Sequence, residues 1–141
     1  MLRTLLPVDG SRASLRAVAY VIELAKCCPP MEILLVNVQP PVDSWELKSF
    51  LKPSEIDAMQ ESKGGDALAP ARQLLDAAQV AYTPAVLLGS VPETLVAYAE
   101  DKGCDKIVMG NKGESFVSEA VTGSVAHEVL RLTSRPVTFV K

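Results

Sequence analysis

The sequence predicts an α/β protein: an open, five-stranded parallel sheet with helices on both faces, Rossmann-like in build, forming a single domain over residues 1–141. Three observations predict it. Five short apolar runs, starting near Thr4, Glu32, Val80, Lys106 and Arg135, alternate with stretches whose apolar residues recur at three- and four-residue steps, the signature of strands alternating with amphipathic helices. The runs are continuous rather than alternating, as in Ile33-Leu34-Leu35-Val36, which parallel strands covered on both faces require. A length of 141 residues with 48% apolar content supplies one sizeable core.

Taken in order, Thr4-Leu5-Leu6-Pro7-Val8 is a strand that ends at the turn-and-cap cluster Asp9-Gly10-Ser11, with Pro7 near its end. From Ser11 a helix presents Leu15, Val18, Ala19, Ile22 and Ala25 to the sheet. Cys27-Cys28-Pro29-Pro30 stops it, because the residue before a proline is pushed out of the helical region. Glu32 to Val38 is the second strand, closed by Gln39-Pro40-Pro41.

The stretch 42–65 is the least regular. Trp45, Phe50 and Leu51 are apolar, and Pro53-Ser54-Glu55-Ile56-Asp57 has the chemistry of a helix start. Gly64-Gly65 and Pro70 read as interruptions before a steadier helix running to Gln79, with Leu68, Leu74, Leu75 and Ala78 inward. A segment of this kind suits a lid or a docking site.

Val80 to Gly89 is the third strand, and Pro84 places it at a sheet edge, where a missing donor harms no ladder. Ser90 caps the next helix, with Pro92 in its first turn and Leu95, Val96, Tyr98 and Ala99 on its apolar face. Lys102-Gly103 closes it. Lys106 to Met109 is the fourth strand. A last helix from Ser124 to Leu132 presents Val125, Val129 and Leu132, and Arg135 to Val140 is the fifth strand.

Composition excludes several classes. A formal net charge of -3 with scattered signs gives no footprint for nucleic acid or an anionic membrane surface. Asp9 interrupts any signal-peptide core, and no apolar run approaches the length of a span, so a cytoplasmic protein without membrane partners is expected. Cys27, Cys28 and Cys104 fit neither a disulfide framework nor zinc spacing and are read as small buried or half-buried hydrophobes. His127 is the only histidine, set within the last helix, and no nucleophile sits beside a recognisable base.

The chain is organised around Ile107-Val108-Met109-Gly110-Asn111-Lys112-Gly113, a run of nine residues, and then Gly123-Ser124-Val125 opening a helix. Glycines after a buried strand let backbone N–H groups approach a ligand, and a helix N-terminus favours an anion. Neither Gly-x-x-x-x-Gly-Lys-Ser/Thr nor Gly-x-Gly-x-x-Gly spacing occurs. The first strand with Asp9-Gly10-Ser11 and the fourth with its glycine loop echo one another, so both loops are expected to meet at a switch point of the sheet.

The pattern Gly110-x-x-Gly113-x9-Gly123-Ser124 resembles the ATP-binding signature of the universal stress protein family, and the resemblance covers essentially the whole chain. It implies a fold of the adenine nucleotide alpha-hydrolase type and a nucleotide, ATP or AMP, with Mg2+ or Mn2+ accompanying it. It also implies the site residues: Pro7, Val8 and Val38 along the adenosine, Asp9 beside the ribose or the metal ion, and Met109, Gly110, Asn111, Lys112, Gly113, Gly123, Ser124 and Val125 around ribose and phosphates. Asp9 is equally a good turn and capping residue, Val38 an ordinary core valine, and Lys112 a surface lysine able to pair with phosphate.

Asn111 and Lys112 stand where relatives commonly carry a small hydroxyl residue followed by Arg or His. Glu114 and Glu119 bring like charge near a polyphosphate, which favours a mononucleotide such as AMP, while Ser115, Ser118 and Thr122 supply hydroxyls. The resemblance further implies a homodimer formed through the strand Val137–Val140, whose edge invites pairing. The expected function is a dimeric, nucleotide-binding regulatory protein of stress response. The alternatives are a homodimeric interaction module of the same fold that binds no nucleotide, or a slow ATPase without a dedicated catalytic residue.

Overall fold

A computed structural model describes residues 1–111 and 123–141. In chain order the elements are β1 (Leu2–Pro7), α1 (Arg12–Cys27), β2 (Met31–Gln39), α2 (Trp45–Phe50), α3 (Pro53–Ala77), β3 (Thr83–Leu88), α4 (Val91–Asp101), β4 (Lys106–Gly110), α5 (Ser124–Leu132) and β5 (Val137–Val140). The five strands form one sheet in the order β3-β2-β1-β4-β5, and every pair is parallel. Pro84 lies on edge strand β3, as its missing N–H requires.

Alternate strand residues feed opposite faces. Leu6 and Leu35 join Val18, Ile22, Leu68 and Leu75 beneath α1 and α3. Leu5, Leu34 and Val36 join Leu95 and Val129 beneath α4 and α5. Both faces are therefore dry, which is why the strands read as unbroken apolar runs.

Several expectations are corrected. The buried stripe of α1 is Ala13, Ser14, Ala17, Val18, Val21 and Ile22. Ala19 is exposed, and Leu15 and Ala25 are only half-buried. Small residues line the contact because α1 lies close on the sheet. Gly64-Gly65 and Pro70 do not interrupt the second half of the 42–65 region: α3 is one helix of 25 residues. A Cβ on Gly64 would stand 2.4 Å from a methyl carbon of Val86 on β3. The glycine thus lets α3 approach the sheet rather than breaking the helix. Leu74 and Leu132 point outward, with 41% and 36% of their surface exposed, because Leu75 and Val129 take the inward positions. Cys27 and Cys28 are exposed, and only Cys104 is a buried hydrophobe.

Candidate functional site

Winding reverses between β1 and β4, neighbours in the sheet whose helical connections leave toward opposite faces. Such a reversal leaves a crevice beyond the carboxyl ends of the strands. A cavity of 760 Å³ occupies that position, within the range of small-molecule sites. Pro7, Val8 and Asp9 line it from the end of β1, Val38 from β2, and Met109, Gly110 and Asn111 from β4. Gly123, Ser124 and Val125 line it from the start of α5. Lys112 and Gly113 lie outside the described residues, as do Glu114, Ser115, Ser118, Glu119 and Thr122.

Asp9 occupies a turn. Its Oδ1 accepts the N–H of Ser11 at 2.9 Å. Ser11 is the N-cap of α1, its hydroxyl accepting the N–H of Ser14 at 3.2 Å. The capping role therefore falls to Ser11, and Asp9 sits two residues earlier, half-buried, with a second carboxylate oxygen outside that bond. Among the described residues no three His, Cys, Asp or Glu side chains cluster to hold a metal ion.

Gly110 serves a purpose the sequence did not disclose. A Cβ there would lie 2.7 Å from the carbonyl carbon of Ala13 and 2.8 Å from its oxygen. Its missing side chain lets the first turn of α1 press against β4, a packing role beside the ligand-facing one expected of it.

The loop's two ends are tied together. Gly123 donates its N–H to the carbonyl of Asn111 at 2.5 Å, and Asn111 donates its own to Val140 at 3.1 Å. Asn111 is buried, and its Oδ1 has no hydrogen-bond partner among the described residues. Gly123 caps α5 without a side-chain bond, so among the described residues no side chain occupies the N–H groups of the first turn, whose residues line the cavity.

Sequence reasoning missed four polar residues at the cavity: Asn37 and Gln39 on β2, and Lys63 and Asp66 on α3. Asn37 was legible in principle, being the one polar residue in the run Ile33 to Val38. It is buried, with Nδ2 donating to the carbonyl of Val8 at 2.8 Å and Oδ1 accepting from Gln39 Nε2 at 2.6 Å. Lys63 and Asp66 were hidden by the Gly-Gly pair read as a break. Pro70 also lines the cavity; lacking an N–H, it leaves the carbonyl of Asp66 without its helical partner.

The family model described as the universal stress protein family matches residues 1–141. The chain belongs to the universal stress protein family. Universal stress protein MJ0531 of Methanocaldococcus jannaschii is 31% identical over 146 residues, covering 99% of this chain and 81% of the relative. The solved structure of the M. jannaschii protein MJ0577 superposes with a TM-score of 0.81 at 25% identity, covering 99% of this chain and 94% of that one. A universal stress family structure from Arabidopsis thaliana with AMP bound superposes with a TM-score of 0.71 at 17% identity, covering 100% and 92%. Further structures of this fold are complexes with dAMP and with cAMP. The shared fold thus extends over essentially the whole chain.

Proposed function

We propose that this universal stress protein binds an adenine nucleotide in the crevice beyond β1, β2 and β4 and acts as a dimeric regulatory protein. The observation that carries the reading is the pairing, in one cavity, of an apolar wall with an anion-ready helix start. Val8, Val38 and Met109 supply the wall for a base, and the uncapped first turn of α5 at Gly123-Ser124 supplies N–H groups for a phosphate. AMP, dAMP and cAMP, the ligands of the family structures, share a base, a sugar and one phosphate.

The residues present fit such a ligand. A sugar hydroxyl at the Asn111 edge satisfies the buried Oδ1, whose desolvation no described residue compensates. Asp9 holds a ribose hydroxyl or, with ATP, approaches a nucleotide-bound Mg2+ or Mn2+. Gly110, Asn111, Lys112 and Gly113 cradle the sugar and phosphate side. Asp9, Asp66 and Lys63 all line the cavity, two acids to one base, a balance that suits one phosphate better than three. The protein works in the cytoplasm, where such nucleotides are abundant, and no helix among the described residues is long and apolar enough to cross a membrane. The dimer forms through β5, an edge strand whose free backbone side can pair with a second copy.

Ser124→Pro tests the reading with little risk to the fold. Proline is well placed at the first helical position, and Gly123, at φ -63 and ψ 154, already has the conformation a residue before proline prefers. The substitution removes a hydroxyl and one N–H at the anion end. Calorimetric titration with AMP and with ATP, each with Mg2+, is expected to show binding by the wild type that falls about tenfold in the variant, the worth of one charge-assisted hydrogen bond. Absence of binding by ligand-free wild type overturns the proposal in favour of an interaction module with an empty crevice.

A further inference from the structure

At the far end of α1, away from the crevice, two adjacent cysteines share one side of the chain. Cys27 is the last residue of α1 and Cys28 its C-cap. Both are exposed, and their Sγ atoms stand 3.6 Å apart. Neighbouring side chains on an extended strand would point to opposite faces. Here the helix end turns them together: the N–H of Cys28 donates to the carbonyl of Leu24 at 2.8 Å, and the thiol of Cys27 points to the same oxygen at 3.6 Å.

We propose that Cys27 and Cys28 form a dithiol capture site for a trivalent thiophilic centre of the arsenous type, which both sulfurs bind at once. The spacing carries it. Two sulfurs bonded to one atom at about 2.3 Å, the length of a metal–thiolate bond, stand about 4.6 Å apart when opposed and about 3.8 Å apart at the tetrahedral angle. A separation of 3.6 Å corresponds to an angle of about 100° by the same arithmetic. That suits a pyramidal three-coordinate centre and does not suit a linear one.

In the reaction two S–H bonds and two As–O bonds break and two As–S bonds form. The thiol protons leave with the displaced oxygens as water, arsenic stays trivalent, and no oxidant or reductant is consumed. The second sulfur bonds intramolecularly, at an effective concentration in the millimolar range, so monothiols below that concentration compete poorly. A one-site electrophile gains nothing from the pairing. The hydrogen bond between the thiols raises the Cys27 pKa, as do local desolvation and the neighbouring sulfur's charge, so the thiolate that simple alkylation needs is scarce. Lys26 does not counter this, since its ammonium is engaged by Glu23 at 3.1 Å. Cys104, the third cysteine, is buried and its thiol is pushed up chiefly by burial, so it makes an internal control.

The test is intact-mass spectrometry of the reduced full chain after treatment with phenylarsine oxide and excess glutathione, on wild type, Cys27→Ser and Cys28→Ser. Both positions are exposed, so the variants are expected to fold, and circular dichroism checks this. The expected result is one arsenical retained per wild-type chain and none in either variant, with release by a small dithiol. Retention in both single variants, or none in wild type, overturns the proposal.

Discussion

Asn37 donates its side-chain amide to the carbonyl of Val8 at 2.8 Å, linking the ends of β1 and β2 beneath the cavity. A carbonyl accepts and cannot donate, so Nδ2 must face Val8 and Oδ1 must turn the other way, where it accepts from Gln39 Nε2 at 2.6 Å. One buried residue thus fixes the orientation of a second at the cavity wall.

Asn37→Asp keeps the shape and removes the donor. At about pH 7 it sets acceptor against acceptor in a buried place, at a cost of about 1–3 kcal/mol or more if the carboxylate stays charged. Urea unfolding is expected to show that loss. The deficit shrinks as pH falls, because the protonated acid can donate to Val8 again. A deficit independent of pH would assign the loss to packing.

With Nε2 held by Asn37 through one of its two N–H groups, Gln39 turns Oε1 away from that bond, and we expect this oxygen to act as an acceptor at the cavity. An acceptor there favours the 6-amino group of adenine and opposes the 6-oxo group of hypoxanthine. Wild type is therefore expected to prefer AMP to IMP, and Gln39→Leu to erase about tenfold of that preference, as measured by titration with both nucleotides. An unchanged ratio would mean that Gln39 does not read the base.

The order of elements was open to reading because each strand is mostly apolar and several elements end at residues with a specific turn or capping role, such as Asp9-Gly10-Ser11 after β1 and Lys102-Gly103 after α4. The described members of the predicted site also line the crevice, since a glycine-rich loop after a strand has few places to go in a parallel sheet. What escaped depended on contacts between distant segments. Gly64 reads locally as a breaker, and only Val86, on another element, explains it. Gly110 reads as a phosphate glycine, and only the backbone of Ala13 shows the helix pressed against it. Cys27 and Cys28 read as core because cysteine usually is, whereas they fall beyond the end of the buried stripe of α1.

Gly110→Ala brings a methyl carbon to within 2.7 Å of backbone at Ala13, so α1 or β4 must move. Overpacking of this kind costs about 1–3 kcal/mol, read as a lower urea midpoint. The nearest atoms belong to the main chain, so the double variant with Ala13→Gly is expected to recover little of the loss. Full recovery would show instead that the Ala13 side chain, 3.0 Å from the new carbon, was the obstacle.

The ion pair between Arg135 and Glu100 gives the last prediction, a dependence on pH. Arg135 grips Glu100 through Nη2–Oε2 at 2.9 Å and Nε–Oε1 at 3.1 Å, tying the segment before β5 to α4. The guanidinium's hydrogen bond, with its charge, holds the Glu100 carboxyl below its ordinary value of 4.5. A carboxyl whose pKa is lower folded than unfolded contributes stability above the unfolded value, and that contribution is lost as pH falls through the folded one. Arg135→Gln removes the partner's charge at similar length. The melting temperature of wild type is expected to exceed that of the variant at about pH 7, with the gap closing as the carboxyl is protonated in acid and narrowing in concentrated salt. A gap constant across that range would place the contribution in the side-chain packing of Arg135 rather than in its charge.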